Sequence, residues 1–267
     1  MSVLHLDREK IFAFLLDLRE EILQKFEEIE GGQSFEKESW NYQNGKGGGE
    51  IAQLRGKIFE KAAVNWSKVS GKLYPLDPSQ GAFFATGVSL ITHMTNPHAP
   101  TVHFNIRFIE TEKGHWFGGG YDLSPMGFIY AEDTAHFHAS AKRSLDPFGE
   151  ELYPRFSQWA KEYFYIRHRQ RERGVGGIFF DSFNRGNFEA DYGMWQSVGT
   201  SFLGAILPIY ERRIGMEYTA LDKELQLTMR AHYVEFNFLY DKGTEFGFKS
   251  QGNPKAILSS MPPLVKW

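Results

Sequence analysis

Cysteine is absent from the chain. Disulfides, thiolate metal sites and a cysteine nucleophile are therefore excluded, and the composition suits a reducing compartment. No apolar run approaches the roughly 18 residues that a membrane helix needs. Charge of one sign is also scarce. Thirty Lys and Arg against 33 Asp and Glu leave a formal net charge of −3, which speaks against a nucleic-acid partner. The first residues include Asp7, Glu9, Asp17, Glu20 and Glu21, too acidic for a transit peptide and without the apolar core of a signal peptide. A cytoplasmic protein with no membrane span is expected. There is no internal repeat, no low-complexity segment and no linker, so residues 1 to 267 read as a single domain.

Aromatic residues are plentiful, with 24 Phe, 12 Tyr and 6 Trp making 16% of the chain. They suit a thick core or a large flat apolar pocket. The segment 1 to 32 is read as an N-terminal amphipathic helix, because Ile11, Leu15, Leu18, Ile22, Phe26 and Ile29 recur at helical steps before Gly31-Gly32. Residues 33 to 50 are polar, and 41 to 50 read as a glycine-rich mobile loop without Walker spacing. Strands are expected at 57 to 69, 82 to 93, 101 to 111, 115 to 122, 176 to 183 and 233 to 241. Helices are expected at 132 to 145, 155 to 170, 187 to 213, 219 to 231 and 254 to 260. Early strands and late helices favour one α+β domain with a large, mainly antiparallel sheet and helices packed on it.

Four stretches can carry chemistry. Between Thr101 and Phe108 the even positions Val102, Phe104, Ile106 and Phe108 are apolar, and the odd ones present His103, Asn105 and Arg107. Strand alternation places the second set together on one face. If residues 82 to 93 pair alongside, Ser89 and His93 join that face. Alternation alone fits a site and a solvent-facing sheet surface equally. The second stretch holds Arg167, Arg169, Arg171 and Arg173 within seven residues. These are cations complementing a helix C-terminus, or a clamp for carboxylates, with one pair facing inward. The third contains His136 and His138, which on a helix point apart and cannot share a metal. The fourth ends the run Gly176-Gly177-Ile178-Phe179-Phe180 with Asp181, a strand cap or a pocket carboxylate.

Several further stretches complete an ordered set. They include Ile58-Phe59-Glu60-Lys61-Ala62, Asn96-Pro97-His98-Ala99-Pro100, Trp116-Phe117-Gly118-Gly119-Gly120 and Tyr153-Pro154. Towards the end come Tyr233-Val234-Glu235-Phe236-Asn237, Asp241-Lys242-Gly243-Thr244 and Met261-Pro262-Pro263-Leu264-Val265. From about residue 58 onward the set resembles the oxygen-dependent coproporphyrinogen III oxidase family. The resemblance implies a homodimer whose subunits hold a flat antiparallel sheet between helices on both faces. It implies oxidative decarboxylation of the ring A and B propionates of coproporphyrinogen III to vinyl groups, in haem biosynthesis. Dioxygen is then the co-substrate, protoporphyrinogen IX and CO2 the products, and no organic cofactor is required. His103, Asp181 and Arg169 are implied as catalytic. Ser89, Asn105, Ile106, Arg107, Gln251, Gly252 and Asn253 are implied as substrate-binding. His93, His103, His138 and His168 align with proposed ligands of a divalent metal such as Mn(II). His98, in its Asn-Pro-His-Ala-Pro turn, reads as structural.

Three positions depart from the family pattern: Ser182 stands for an aspartate, His232 for an arginine and Asn253 for an arginine. Lys249 or Lys255 could replace the lost cation near Asn253. The departures motivate two alternatives, a non-catalytic tetrapyrrole-binding protein and a histidine-ligated metal oxygenase of another carboxylate.

Overall fold

The computed structural model describes residues 3–42 and 47–267. The first element is helix α1 (Val3–Glu30), which buries Ile11, Leu15, Leu18, Ile22 and Phe26 as its periodicity requires. It ends at Gly31, whose φ of 71° suits glycine. Strands β1 (Glu36–Asn41), β2 (Gly47–Leu54), β3 (Phe59–Gly71), β4 (Phe83–Met94), β5 (Thr101–Thr111) and β6 (Gly114–Ser124) follow. Helices α2 (Ala131–Leu145) and α3 (Leu152–Tyr163) come next, then a small hairpin of β7 (Tyr165–Ile166) and β8 (Arg171–Glu172). The chain closes with β9 (Gly177–Phe183) and helices α4 (Phe188–Arg213), α5 (Ala220–Leu239), α6 (Lys242–Lys249) and α7 (Pro254–Ile257).

One seven-stranded sheet runs in the order β1-β2-β3-β4-β5-β6-β9, with every neighbouring pair antiparallel. Its even-numbered residues on β5, Val102 to Phe108, are fully buried against α1 and α4 in the main core. That core also takes Phe137 of α2 and Phe156 of α3. The opposite face is covered by α5 and the short C-terminal helices, with smaller apolar clusters around Phe179 and Phe236 and around Ile91 and Tyr233. The expected α+β domain, with helices on both faces, is the one observed.

Three local expectations are corrected. Residues 33 to 50 carry a strand pair, and residues 43 to 46 of the expected glycine-rich loop lie outside the described residues. The glycines at 47 and 49 permit close pairing: a Cβ on Gly47 would sit 2.0 Å from the Lys68 carbonyl oxygen, and one on Gly49 3.0 Å from the Trp40 ring. The helix expected over 155 to 170 stops at Tyr163, and the arginine run beyond it forms the β7–β8 hairpin with Gln170 left-handed at φ 50°. The strand expected over 233 to 241 is the second half of α5. That helix starts at a capping box of Thr219 with Asp222 and buries Arg230, Tyr233, Val234 and Asn237 at three- and four-residue steps.

Glu30 joins the first helix to the sheet. Its carboxylate accepts the backbone N–H groups of Lys57, Ile58 (3.1 Å) and Phe59 (2.9 Å) where β3 begins. Removing it leaves buried donors unpaired, at about 2–3 kcal/mol for charged acceptors. Glu30→Ala is therefore expected to lower unfolding stability by about that amount in urea, and an unchanged midpoint would remove this contact from the stability of the fold.

Candidate active site

The sheet register builds the site in three cross-strand rows. Ser67, Gly87, Arg107 and Gly118 form one row, Asn65, Ser89, Asn105 and Gly120 the next, and Ala63, Ile91, His103 and Asp122 the third. These rows floor a cavity of about 290 Å³, roofed by α5, α6, α7 and the residues after them, with the end of α3 and Phe179 at one side. The face that presents His103, Asn105 and Arg107 is thus the wall of a partly open cavity, and Ser89 lies on it as strand pairing predicted.

Arg107 and Asp181 meet across the floor, with a guanidinium nitrogen 3.0 Å from the carboxylate. The same guanidinium donates to the Asn105 side-chain oxygen at 2.7 Å. Glycine leaves room for the pair: a Cβ on Gly118 would lie 2.9 Å from both Arg107 Nε and Asp181 Oδ1, and one of them would have to shift. Burial works against the Arg107 charge, but Asp181 and the neighbouring tyrosine oxygens outweigh it and hold the guanidinium above its ordinary pKa. Burial and the Asp181 charge push Tyr74, also on the wall, up to about 12.

His103 is fixed from behind. Its Nδ1 lies 3.0 Å from Asp122, directly opposite on β6. Asp122 in turn accepts from Arg173 Nη2 at 2.7 Å, with both side chains at most 2% exposed. Burial alone would raise the Asp122 pKa; Arg173 and His103 more than offset it and hold the carboxyl below its usual range. An ionised Asp122 accepts a hydrogen bond from His103 Nδ1–H, which leaves Nε2 for the chamber. The Arg173 guanidinium is enclosed by the rings of Phe164, Tyr233 and Phe236 at 4.2–4.9 Å. Of the four arginines in the run, Arg173 alone is buried.

Other expected residues fall elsewhere. Arg169 lies outside the chamber and pairs with Glu235 at 2.6 Å, because the chain turns into the hairpin there. Ile106 points into the opposite core and cannot offer its side chain to a ligand. Gly252 and Asn253 line the chamber, whereas Gln251 is exposed and outside it. Lys249 and Lys255 pair with Glu245 and Glu38 away from the lining, and Lys242 is the lysine among the described lining residues. Ser182 and His232 also lie outside the lining, so two of the three family departures remove no chamber group. His98 is structural as expected, bonded to the Tyr130 hydroxyl at 2.9 Å.

The four histidines aligned with a metal do not meet. His93 is sealed under the C-terminal segment, with Nε2 on the Ser260 carbonyl and its pKa pushed down to about 3 by burial and Arg230. His138 lies between the Tyr153 hydroxyl and the Val175 carbonyl, and His168 between Tyr240 and Glu235. Among the described residues no group of three His, Asp or Glu is placed to hold a metal ion, so the side chains do not fit that ligand set. Sequence reasoning assigned no role to Asp122, Tyr163, Asn237, Asp241 or Lys242. Asp122 was within reach of it, since a two-residue turn at Glu112 and Lys113 fixes the β5–β6 register.

A sheet-floored, helix-roofed chamber with apolar walls and a few converging charged groups is a ligand pocket of an α+β protein. A family model described as coproporphyrinogen III oxidase matches residues 10–267. The chain belongs to that family and is an oxidoreductase acting on coproporphyrinogen III in porphyrin biosynthesis. No helix among the described residues is long and apolar enough to cross a membrane.

The Asp122 carboxyl gives a pH-dependent test. Its lowered pKa stabilises the fold above the ordinary aspartate value of about 3.9, and that contribution is lost as pH falls through the folded value. Asp122→Asn should cost about 3 kcal/mol at pH 7, since it strands a buried guanidinium. The gap from the unsubstituted protein should narrow below about pH 4. Equal stability at pH 7 would contradict the pairing.

Proposed function

We propose that the chain converts the ring A and B propionates of coproporphyrinogen III to vinyl groups with dioxygen as oxidant, giving protoporphyrinogen IX. For each propionate the bond to the carboxylate carbon breaks and CO2 leaves. A C–H bond on the methylene attached to the pyrrole also breaks, and the carbon–carbon double bond forms. Two electrons and one proton are released. Dioxygen takes both electrons and, with that proton and one from solvent, becomes hydrogen peroxide.

The observation that carries this reading is the placement of His103, Arg107 and Asp181 on one chamber wall. In the reading, Asp181 accepts pyrrole N–H bonds and favours loss of a pyrrole proton by placing negative charge where positive character develops. Arg107, held between Asn105 and Asp181, orients a propionate through its planar fork. Ser89, Asn105, Gly252 and Asn253 contact the macrocycle or its side chains. His103 Nε2 transfers a proton, with Asp122 and Arg173 fixing its tautomer. The Arg169–Glu235 pair lies outside the chamber, so Arg169 is assigned no part in the chemistry. No step is drawn through a metal ion.

The test is incubation with coproporphyrinogen III in air and under argon, with product followed by fluorescence after oxidation. Conversion only in air, persisting in excess chelator, is expected; binding without conversion in air would overturn the reading in favour of a tetrapyrrole carrier. Asp181→Ala should reduce turnover by at least about 10²-fold, and a rate near that of the unsubstituted protein would remove Asp181 from the mechanism. The proposal includes the cytoplasmic homodimer that accompanies the resemblance. Sedimentation at the mass of one chain would remove the dimer from it.

A further inference from the structure

The β3–β4 connection, residues 72 to 82, is closed by the Tyr74 N–H, which donates to the Gly81 carbonyl at 2.9 Å. It sets the Tyr74 ring on the chamber wall, edge-on to Phe83 and Trp116 at 5.7 and 5.6 Å and against Phe246 of α6 at 6.0 Å. Val69, Ala85, Ile109 and Trp116, which pack with that ring, form one cross-strand row of the sheet. The next row, two residues or about 7 Å along the strands, is Ser67, Gly87, Arg107 and Gly118. On β4 and β6 that row carries no side chain, so Arg107 is the group that faces the tyrosine from it.

The Tyr74 hydroxyl makes no hydrogen bond among the described residues, yet it is not sealed from water as the unpaired Trp40 and Trp66 ring nitrogens are. An unpartnered oxygen that water can reach, on a ring that lines the chamber, is open to the chamber. It lies within electrostatic reach of Asp181 and Arg107. Burial and the Asp181 charge hold its pKa up to about 12, so the hydroxyl keeps its proton and is a neutral donor. Tyr163 also neighbours Arg107, but its hydroxyl is committed: it donates to Asp241 at 2.9 Å and accepts the Lys242 N–H at 3.0 Å.

We propose that Tyr74 is a specificity-determining residue whose hydroxyl donates to the propionate carboxylate that Arg107 orients. The inference rests on the decarboxylation reading above, which gives Arg107 that propionate. Arg107 alone is a weak anchor, because its guanidinium already donates to Asn105 and its charge is met by Asp181. The charged side chains among the described lining residues are Arg107, Asp181, Asp241 and Lys242, two of each sign. A ligand with four carboxylates therefore meets little net positive charge, and neutral donors must hold part of its own. A hydroxyl beside the guanidinium supplies a charge-assisted hydrogen bond without a second cation. Three rings fix the Tyr74 side chain, so the donor is in place before the ligand arrives and breaks no internal bond to meet it.

The experiment is a double-mutant cycle read by fluorescence titration of the full chain with coproporphyrin III, which carries four propionates. Tyr74→Phe removes the hydroxyl and keeps the ring that Phe83, Trp116 and Phe246 hold. It is expected to weaken binding about tenfold, the effect of one hydrogen bond to a charged group. In the Arg107→Gln background the same change should weaken binding less than about twofold, since the carboxylate is no longer held there. No weakening by Tyr74→Phe, or equal weakening in both backgrounds, would overturn the proposal. If Arg107→Gln does not fold, Arg107→Met takes its place in the cycle. The urea midpoint of ligand-free Tyr74→Phe should be unchanged; a lowered midpoint would show the hydroxyl bonded within the protein and would also overturn it. Porphyrin binding needs no dioxygen. A chain that binds coproporphyrin III but fails to turn over its reduced form in air would defeat the decarboxylation reading, while the cycle would still report on the subsite.

Discussion

The ion pair between Arg173 and Asp122 is the constraint on which the site depends. Both groups are almost wholly removed from water. A buried pair of this kind contributes little net stability, because desolvation consumes most of the Coulombic gain. Its value is positional. Asp122 accepts from the Arg173 guanidinium on both carboxylate oxygens and from His103 Nδ1–H on Oδ1. The histidine is thereby held in one orientation on a strand whose neighbours are already fixed by the sheet. Breaking either partner would leave a bare charge among phenylalanine rings, so the arrangement is costly to disturb even though desolvation offsets much of its Coulombic gain.

The rest of the chamber follows from the requirement to be flat on one side and apolar on the other. Glycines at 118 and 120 remove side chains from the β6 edge of the floor, and Gly87 does the same on β4. The Arg107–Asp181 pair can then lie across the sheet rather than above a Cβ. Roof and side walls are aromatic: Tyr163 stacks on Phe179 with ring centroids 4.0 Å apart, and Phe246 packs on Tyr74. Tyr163 also donates to Asp241, which caps α6, so the wall that stacks is tied to the helix that closes the roof.

The floor was readable from sequence and the roof was not. Strand alternation needs only a strand and a partner, and β5 with its two-residue turn into β6 supplied both. The roof is built by α5, whose Tyr233-Val234-Glu235-Phe236-Asn237 stretch alternates by chance as a strand would. Its helical character comes from burial at 226, 227, 230, 231, 233, 234, 236 and 237, a broad face set by packing against the sheet. The arginine run failed for a related reason. Residues that read as one helix face are split by a left-handed Gln170 into an exposed Arg169 and a buried Arg173. Only contact with Asp122, distant in sequence, decides which is used.

The histidines show how far residue type can be separated from role by surroundings. His93 and His103 share a sheet face, yet one is sealed beneath the Ser260 carbonyl and kept neutral by burial beside Arg230. The other keeps about a quarter of its side chain exposed at 27% and has an anionic partner on Nδ1. A ring with low dielectric and a cation around it resists protonation, whereas a ring backed by a carboxylate is held in one orientation. The orientation of the His103 ring is therefore a property of the His103–Asp122–Arg173 assembly. Helix α5 closes over that assembly, and its Asn237 accepts from Arg173 at the roof.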